Sequence, residues 1–167
     1  GKNNFDAVQH QGAARIARIA AESGVAHMVH ISAIGADLNG ASLYQRSKAL
    51  GEQAVLQHMP NAMILRPSVI FGNEDGFFNR FGAMAANAPV LPLVGADTLF
   101  QPVYVDDVAA AAVLGVTGQA SGTFELGGPD VASFRALMQQ MLAVIQRRRP
   151  IVNIPTPLAG RMPVAFE

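Results

Sequence analysis

Val25-Ala26-His27-Met28-Val29-His30-Ile31-Ser32, followed by Tyr44-Gln45-Arg46-Ser47-Lys48, is the stretch that decides how this chain folds. The first part is a short apolar run rich in β-branched residues, the composition of a buried parallel strand. Gly35 to Ala41 is polar and reads as a loop. Helical spacing returns from Leu43 to His58, with Leu50, Ala54 and Leu56 as the inward face, until Pro60-Asn61 breaks it. Tyr44 and Lys48 are four residues apart, so a helix sets them on one face about one turn from each other. An ammonium beside a phenol favours the phenolate, lowering the tyrosine pKa from about 10 toward a value useful for proton transfer. Ser32, at the tip of the strand, would polarise the same substrate carbonyl. Taken singly, each residue also has an ordinary use: Ser32 as a cap, Tyr44 as packing, Lys48 as a partner for Glu52.

Outward from this stretch, strands and helices alternate. Phe5, Val8, Gly12, Ile16 and Ile19 recur at helical spacing, and Gly24 ends that helix. Ala62 to Ile70 reads as the next strand and carries Arg66-Pro67. Gly72 to Thr98 mixes Gly, Asn, Asp and Pro with Phe77, Phe78, Phe81 and Met84; a helix over about 76–88 and an extended piece at Val90–Leu93 are expected there. Gln101 to Val105 is a short strand, with Asp106 or Asp107 capping an Ala-rich helix to Leu114. Thr123 to Leu126 is another strand. Ser133 caps a last helix whose Phe134, Leu137, Met138, Met141, Leu142 and Ile145 form one apolar stripe, before a strand-like Ile151–Ile154. This alternation predicts an α/β fold with a mainly parallel sheet.

The Ser32, Tyr44, Lys48 set resembles the short-chain dehydrogenase/reductase superfamily, in its extended and atypical members. The resemblance continues through Leu65-Arg66-Pro67-Ser68-Val69-Ile70-Phe71-Gly72 and Pro102-Val103-Tyr104-Val105-Asp106-Asp107-Val108-Ala109 and runs from about Phe5 to Ile154. It is nearest the nucleotide-binding accessory subunits of respiratory complex I and their bacterial relatives. It implies a Rossmann-like, doubly wound parallel sheet that binds NAD or NADP, with NADPH favoured. The catalytic set would be Ser32, Tyr44 and Lys48, with Tyr44 as acid/base. Tyr44, Lys48, Pro67, Ser68 and Val69 would meet the cofactor, and Phe71, Phe77, Phe78, Phe81 and Phe100 would line the substrate region. Residues 1–167 would be the C-terminal portion of one such domain, its N-terminal strands missing, with 72–100 and 150–167 contributing to substrate binding. No glycine-rich phosphate-binding run occurs in the chain.

The implied activity is hydride transfer to or from a carbonyl or alcohol. Val69 and Phe100 stand where nucleotide-sugar enzymes of the family carry asparagine and arginine, which points to an apolar or quinone-like substrate. The family's helix asparagine appears here as Gln9. Two readings without turnover stay open: an accessory NAD(P)H-binding subunit of NADH:quinone oxidoreductase, and a redox-sensing regulator. The implied location is cytoplasmic, or peripheral on the inner face of a respiratory membrane.

Composition narrows the classes. Lys+Arg and Asp+Glu number 12 each, so no net basic field draws the chain to nucleic acid. Arg147-Arg148-Arg149 is a basic run at a predicted helix end, where cations complement the dipole. Without cysteine there is no thiol chemistry, and the four histidines show no ligand spacing, so no metal is expected. The longest apolar candidate, Val108 to Val116, is far below the roughly 20 residues that span a bilayer.

Overall fold

The computed structural model describes residues 4–154. The chain divides into two compact units: one takes Val105–Gly127 with the chain up to Ser68, the other Val69–Tyr104 with the chain from Gly128 onward. The part of the expected substrate region at 155–167 lies outside the described residues.

The first unit is a parallel sheet covered on both faces. Its strands are β1 (Val29–Ile31), β2 (Met63–Pro67) and β7 (Gly122–Leu126), in the order β1-β2-β7, with Ile31 opposite Leu65 and Leu65 opposite Phe124. Successive side chains alternate between faces. Ile64 therefore packs with Ala17 of α1 (Ala13–Glu22) and Val55 of α2 (Leu43–His58). Met63 faces the other way, toward α4 (Val105–Val116), where Gly115 lets the helix settle on Val29 and Met63. An alanine there would bring its Cβ within 2.4 Å of Val29 Cγ2.

Ser42 sets the start of α2. Its hydroxyl accepts from the Gln45 N–H at 3.1 Å, and the Gln45 side chain accepts from the Ser42 N–H at 3.1 Å. This reciprocal cap satisfies two donors of the first turn and fixes where Tyr44 begins its helix.

The first helix departs from the sequence reading in two ways. Asp6–Gly12 is π-helical, continuing into α1. Its apolar stripe also does not face the core: Val8, Ile16 and Ile19 are exposed, while the small face of Ala13, Ala17 and Ala20 packs toward α2. Alanines win because they permit close helix approach. Gly51 of α2 lies so near the Gln9 carbonyl that a Cβ would come within 2.3 Å of its oxygen.

The second unit is built on pairs of short strands: β3 (Ile70–Phe71) with β6 (Val103–Tyr104), β4 (Leu91–Val94) with β9 (Ile151–Ile154), and β5 (Leu99–Phe100) with β8 (Ala132–Ser133). The first two pairs are parallel and the third antiparallel. Its core packs α3 (Phe78–Asn87) against α5 (Phe134–Val144) through Phe81, Ala85, Phe134, Met138 and Met141. Ser133 caps α5 as expected, accepting from the Ala136 N–H at 3.2 Å. The single strand expected over Ala62–Ile70 is instead two. The Ser68 N–H donates to Leu126 O, whereas Val69 O accepts from the Val103 N–H, so the backbone changes partners between those residues. Asp106 and Asp107 lie in the first turn of α4, which begins at Val105 rather than after them.

Candidate functional site

The Tyr44–Lys48 spacing does what helical geometry requires. The Lys48 ammonium lies 5.9 Å from the centroid of the Tyr44 ring. It donates to the Ile31 carbonyl at 3.3 Å, at the C-terminal end of β1. In open parallel sheets that end is where ligands bind. Phe5 meets the Tyr44 ring edge to face at 5.8 Å. Gln9 reaches the same turn, its Oε1 lying 3.1 Å from the Ser47 hydroxyl, which also sits 2.9 Å from the Tyr44 carbonyl.

Ser32 is placed otherwise than the sequence suggests. It is buried, and its hydroxyl donates to Glu52 Oε1 in a short hydrogen bond. A hydroxyl carries one proton, so while this bond holds Ser32 has none to give a substrate carbonyl. Glu52 is itself buried and gripped by Arg66, with Nε to Oε1 at 2.9 Å and Nη2 to Oε2 at 2.7 Å. The second face of Arg66 looks to Glu125, with Nη1 3.8 Å from Oε1. The Ser32–Glu52–Arg66 contact is what sequence reasoning missed, having offered Glu52 as a partner for Lys48. Glu52 stands four residues after Lys48, a spacing that suggests a pair, but the planar fork of arginine fits a carboxylate with two parallel bonds and an ammonium does not.

Protonation follows burial here. Desolvation pushes the Tyr44 phenol above its ordinary value. The expected lowering by Lys48 does not prevail, since the ammonium is directed at the Ile31 carbonyl. Burial also holds the Lys48 ammonium below the usual lysine range, with the Glu52 charge opposing. His30, on the same strand end, is depressed by burial and then by Lys48, and its Nε2 is buried without a hydrogen-bond partner among the described residues.

Pro67 ends β2 and Ser68 follows it in the same unit, and their backbone is in use: Pro67 O accepts from the Ile34 N–H at 3.1 Å, and the Ser68 N–H donates to Leu126 O at 2.8 Å. Val69 and the aromatic residues belong to the second unit. Phe81 does not wall a cleft, being buried against Phe134 at 5.3 Å between ring centroids. Phe77 lies 5.9 Å from Phe100 and 5.7 Å from Phe134, and Phe78 5.1 Å from Phe77, so these rings mainly fill the core around α5. Phe71 keeps partial exposure and packs on Tyr104 at 5.5 Å. Aromatic rings bury more area against one another than a polar cleft offers, and edge-to-face contacts add to it. Among the described residues no cluster could hold a metal ion, and no helix is long and apolar enough to cross a membrane.

The model of the RmlD substrate binding domain family matches residues 35–159. The chain is 37% identical over 164 residues to NADH dehydrogenase [ubiquinone] 1 alpha subcomplex subunit 9, mitochondrial, of Arabidopsis thaliana, covering 95% of this chain and 41% of that one. It is 30% identical over 155 residues to the ceramide reductase of Caulobacter vibrioides, covering 92% of this chain and 49% of that one. It thus spans two fifths to half the length of these relatives. Among solved structures, a dTDP-glucose 4,6-dehydratase from Streptomyces venezuelae with NAD bound superposes with a TM-score of 0.81 at 20% identity, covering 93% of this chain and 55% of that one. At that identity the likeness concerns the fold.

Proposed function

The chain belongs to the RmlD substrate binding domain family, within the extended and atypical short-chain dehydrogenase/reductases, and on that premise we propose that it serves as a nicotinamide-dinucleotide-binding accessory subunit of an NADH:quinone oxidoreductase. The observation that carries this reading is a division of labour around α2: among the described residues Lys48 makes no ion pair and donates to the strand-end carbonyl of Ile31, while Ser32 is tied to Glu52. A desolvated ammonium beside a phenol fits the ribose hydroxyls of a dinucleotide, and Lys48 with Tyr44 would hold them. Pro67 and Ser68 would border the ring, as the family pattern implies. The dinucleotide, when bound, supplies hydride chemistry.

For binding alone, the raised pKa of Tyr44 is no handicap, because a neutral phenol is still a donor. Ser32 in this reading locks the end of β1 to α2. The Arabidopsis relative, named as a subunit of a mitochondrial NADH dehydrogenase [ubiquinone], supports the accessory role; a place at the periphery of a respiratory membrane would follow from that role.

A second reading, turnover, draws on the retained Tyr44–Lys48 pair. Tyr44 would pass its proton to the oxygen of an apolar ketone, with Lys48 stabilising the phenolate left behind. Val69 and Phe100, and the likeness to a ceramide reductase, favour an apolar substrate over a nucleotide sugar. Both readings meet in one experiment on the purified full-length protein. Retained dinucleotide near one per chain, unconsumed by quinones, ketones or nucleotide sugars, supports the accessory role; consumption with an apolar ketone supports turnover. Absence of any dinucleotide affinity overturns both.

A further inference from the structure

Arg147, Arg148 and Arg149 form the basic run just after α5, and the fold joins to them a fourth arginine from the first turn of the same helix. Together with Arg135 they line one concavity of about 630 Å³ on the second unit, floored in part by Leu142 and Ile151. Among the described residues no aspartate or glutamate lines it. Among the described residues Arg135, Arg147 and Arg148 make no ion pair, in contrast to Arg18 with Glu22 and Arg66 with Glu52.

Helix capping does not account for this set. The last carbonyls of α5 are satisfied by backbone: the Ile145 N–H donates to Met141 O, Gln146 N–H to Ala143 O and Arg147 N–H to Leu142 O. Gln146 takes the left-handed conformation, φ 54°, that closes this motif, a place where glycine is usual. The turn returns the arginines alongside the helix. Arg135, moreover, is the second residue of α5, the positive end of the helix dipole, where a cation is disfavoured. Arg149 is preset: its Nε donates to Ala85 O at 2.9 Å and its Nη1 to Arg148 O at 3.2 Å, which fixes the guanidinium plane.

We propose that this concavity is a binding site for a phosphate ester, with Arg135, Arg147, Arg148 and Arg149 on the phosphate and Leu142 and Ile151 under its organic part. Guanidinium forks match phosphate oxygens with paired, charge-assisted hydrogen bonds, and several around one hollow compensate the desolvation that a single one would not. The apolar floor distinguishes the site from a bare anion patch, since an organic group on the phosphate gains by covering it. A soluble phosphomonoester and an anionic phospholipid headgroup share this chemistry. The proposal is independent of the dinucleotide site, whose Tyr44 and Lys48 lie in the other unit.

The test measures binding by the full-length protein of inorganic phosphate, of glycerol 3-phosphate, and of phosphatidylcholine vesicles with and without phosphatidylglycerol. Wild type is expected to bind glycerol 3-phosphate or the anionic vesicles more tightly than inorganic phosphate. The arm that saturates names the source. Arg135→Gln/Arg147→Gln/Arg148→Gln should lower that affinity about tenfold or more, while Arg147→Lys/Arg148→Lys, keeping charge but losing the fork, should lower it less. Arg15→Gln/Arg18→Gln/Arg46→Gln removes equal charge elsewhere and should leave binding within about twofold. Equal loss in this control, unchanged binding in the α5 triple variant, or saturation by none of the ligands overturns the proposal. Circular dichroism of the triple variant guards against unfolding, as its three side chains make no hydrogen bond among the described residues.

Discussion

Arg66 holds the buried carboxylate of Glu52 through two parallel hydrogen bonds, 2.9 and 2.7 Å, and so takes from Lys48 the partner four residues ahead of it on the same helix. The consequence reaches both ends of the site. Ser32 donates its hydrogen bond to Glu52, and Lys48 turns to the Ile31 carbonyl. An ion pair within the sheet–helix interface thereby decides which polar groups remain usable at its rim.

Breaking that pair from one side leaves a buried charge. Arg66→Met is expected to destabilise the protein by about 3 kcal/mol, the range for removing one partner of a buried pair. Glu52→Met/Arg66→Met should recover much of the loss, since neither charge is then stranded. Urea denaturation of the two variants checks this; additive losses would contradict it.

Gly51 is a second point of control. A Cβ there meets the Gln9 carbonyl oxygen at 2.3 Å and its carbon at 3.3 Å, backbone atoms that yield only if the helices separate. Gly51→Ala should cost about 1–3 kcal/mol, as overpacking does, despite alanine's better helix propensity. Thermal unfolding would show it, and a stabilised variant would contradict the close approach.

His30 predicts a pH dependence. Burial, helped by Lys48, lowers its folded pKa below the unfolded value near 6.5. Between the two values the unfolded chain binds more protons, so stability rises with pH in that window. Acidification from pH 7 should therefore weaken the fold as pH drops below about 6.5, until the folded pKa is passed. His30→Leu should flatten that part of the stability profile. A profile unchanged by the substitution would rule out His30 as its source.

The alternation of strands and helices was legible because it rests on local pattern: the short apolar runs around Val29–Ile31 and Met63–Leu65, the amphipathic α5, and its Ser133 cap. Tyr44 and Lys48 were legible for the same reason, their relation being one turn of helix. What escaped depends on residues distant in sequence. Glu52 meets Ser32 and Arg66, which lie 20 and 14 positions away. The change of strand partner at Ser68–Val69 is set by Leu126 and Val103. Which face of the first helix packs was decided by the nearness of Gly51, not by the larger residues of the stripe. The phenylalanines showed only that an apolar cluster exists; Phe134, far along the chain from Phe77 and Phe81, turned it into a core.

In the accessory-subunit reading Lys48 is the main dinucleotide-binding group, and Tyr44 adds only a weaker, neutral hydrogen bond. Equilibrium titration of NADH and NADPH into the full-length wild type, Lys48→Met and Tyr44→Phe tests it most directly. Loss of the ammonium should weaken the preferred dinucleotide by about tenfold or more, while Tyr44→Phe, which keeps the ring against Phe5, should stay within a few-fold. Undiminished binding by Lys48→Met in a folded protein would contradict the account.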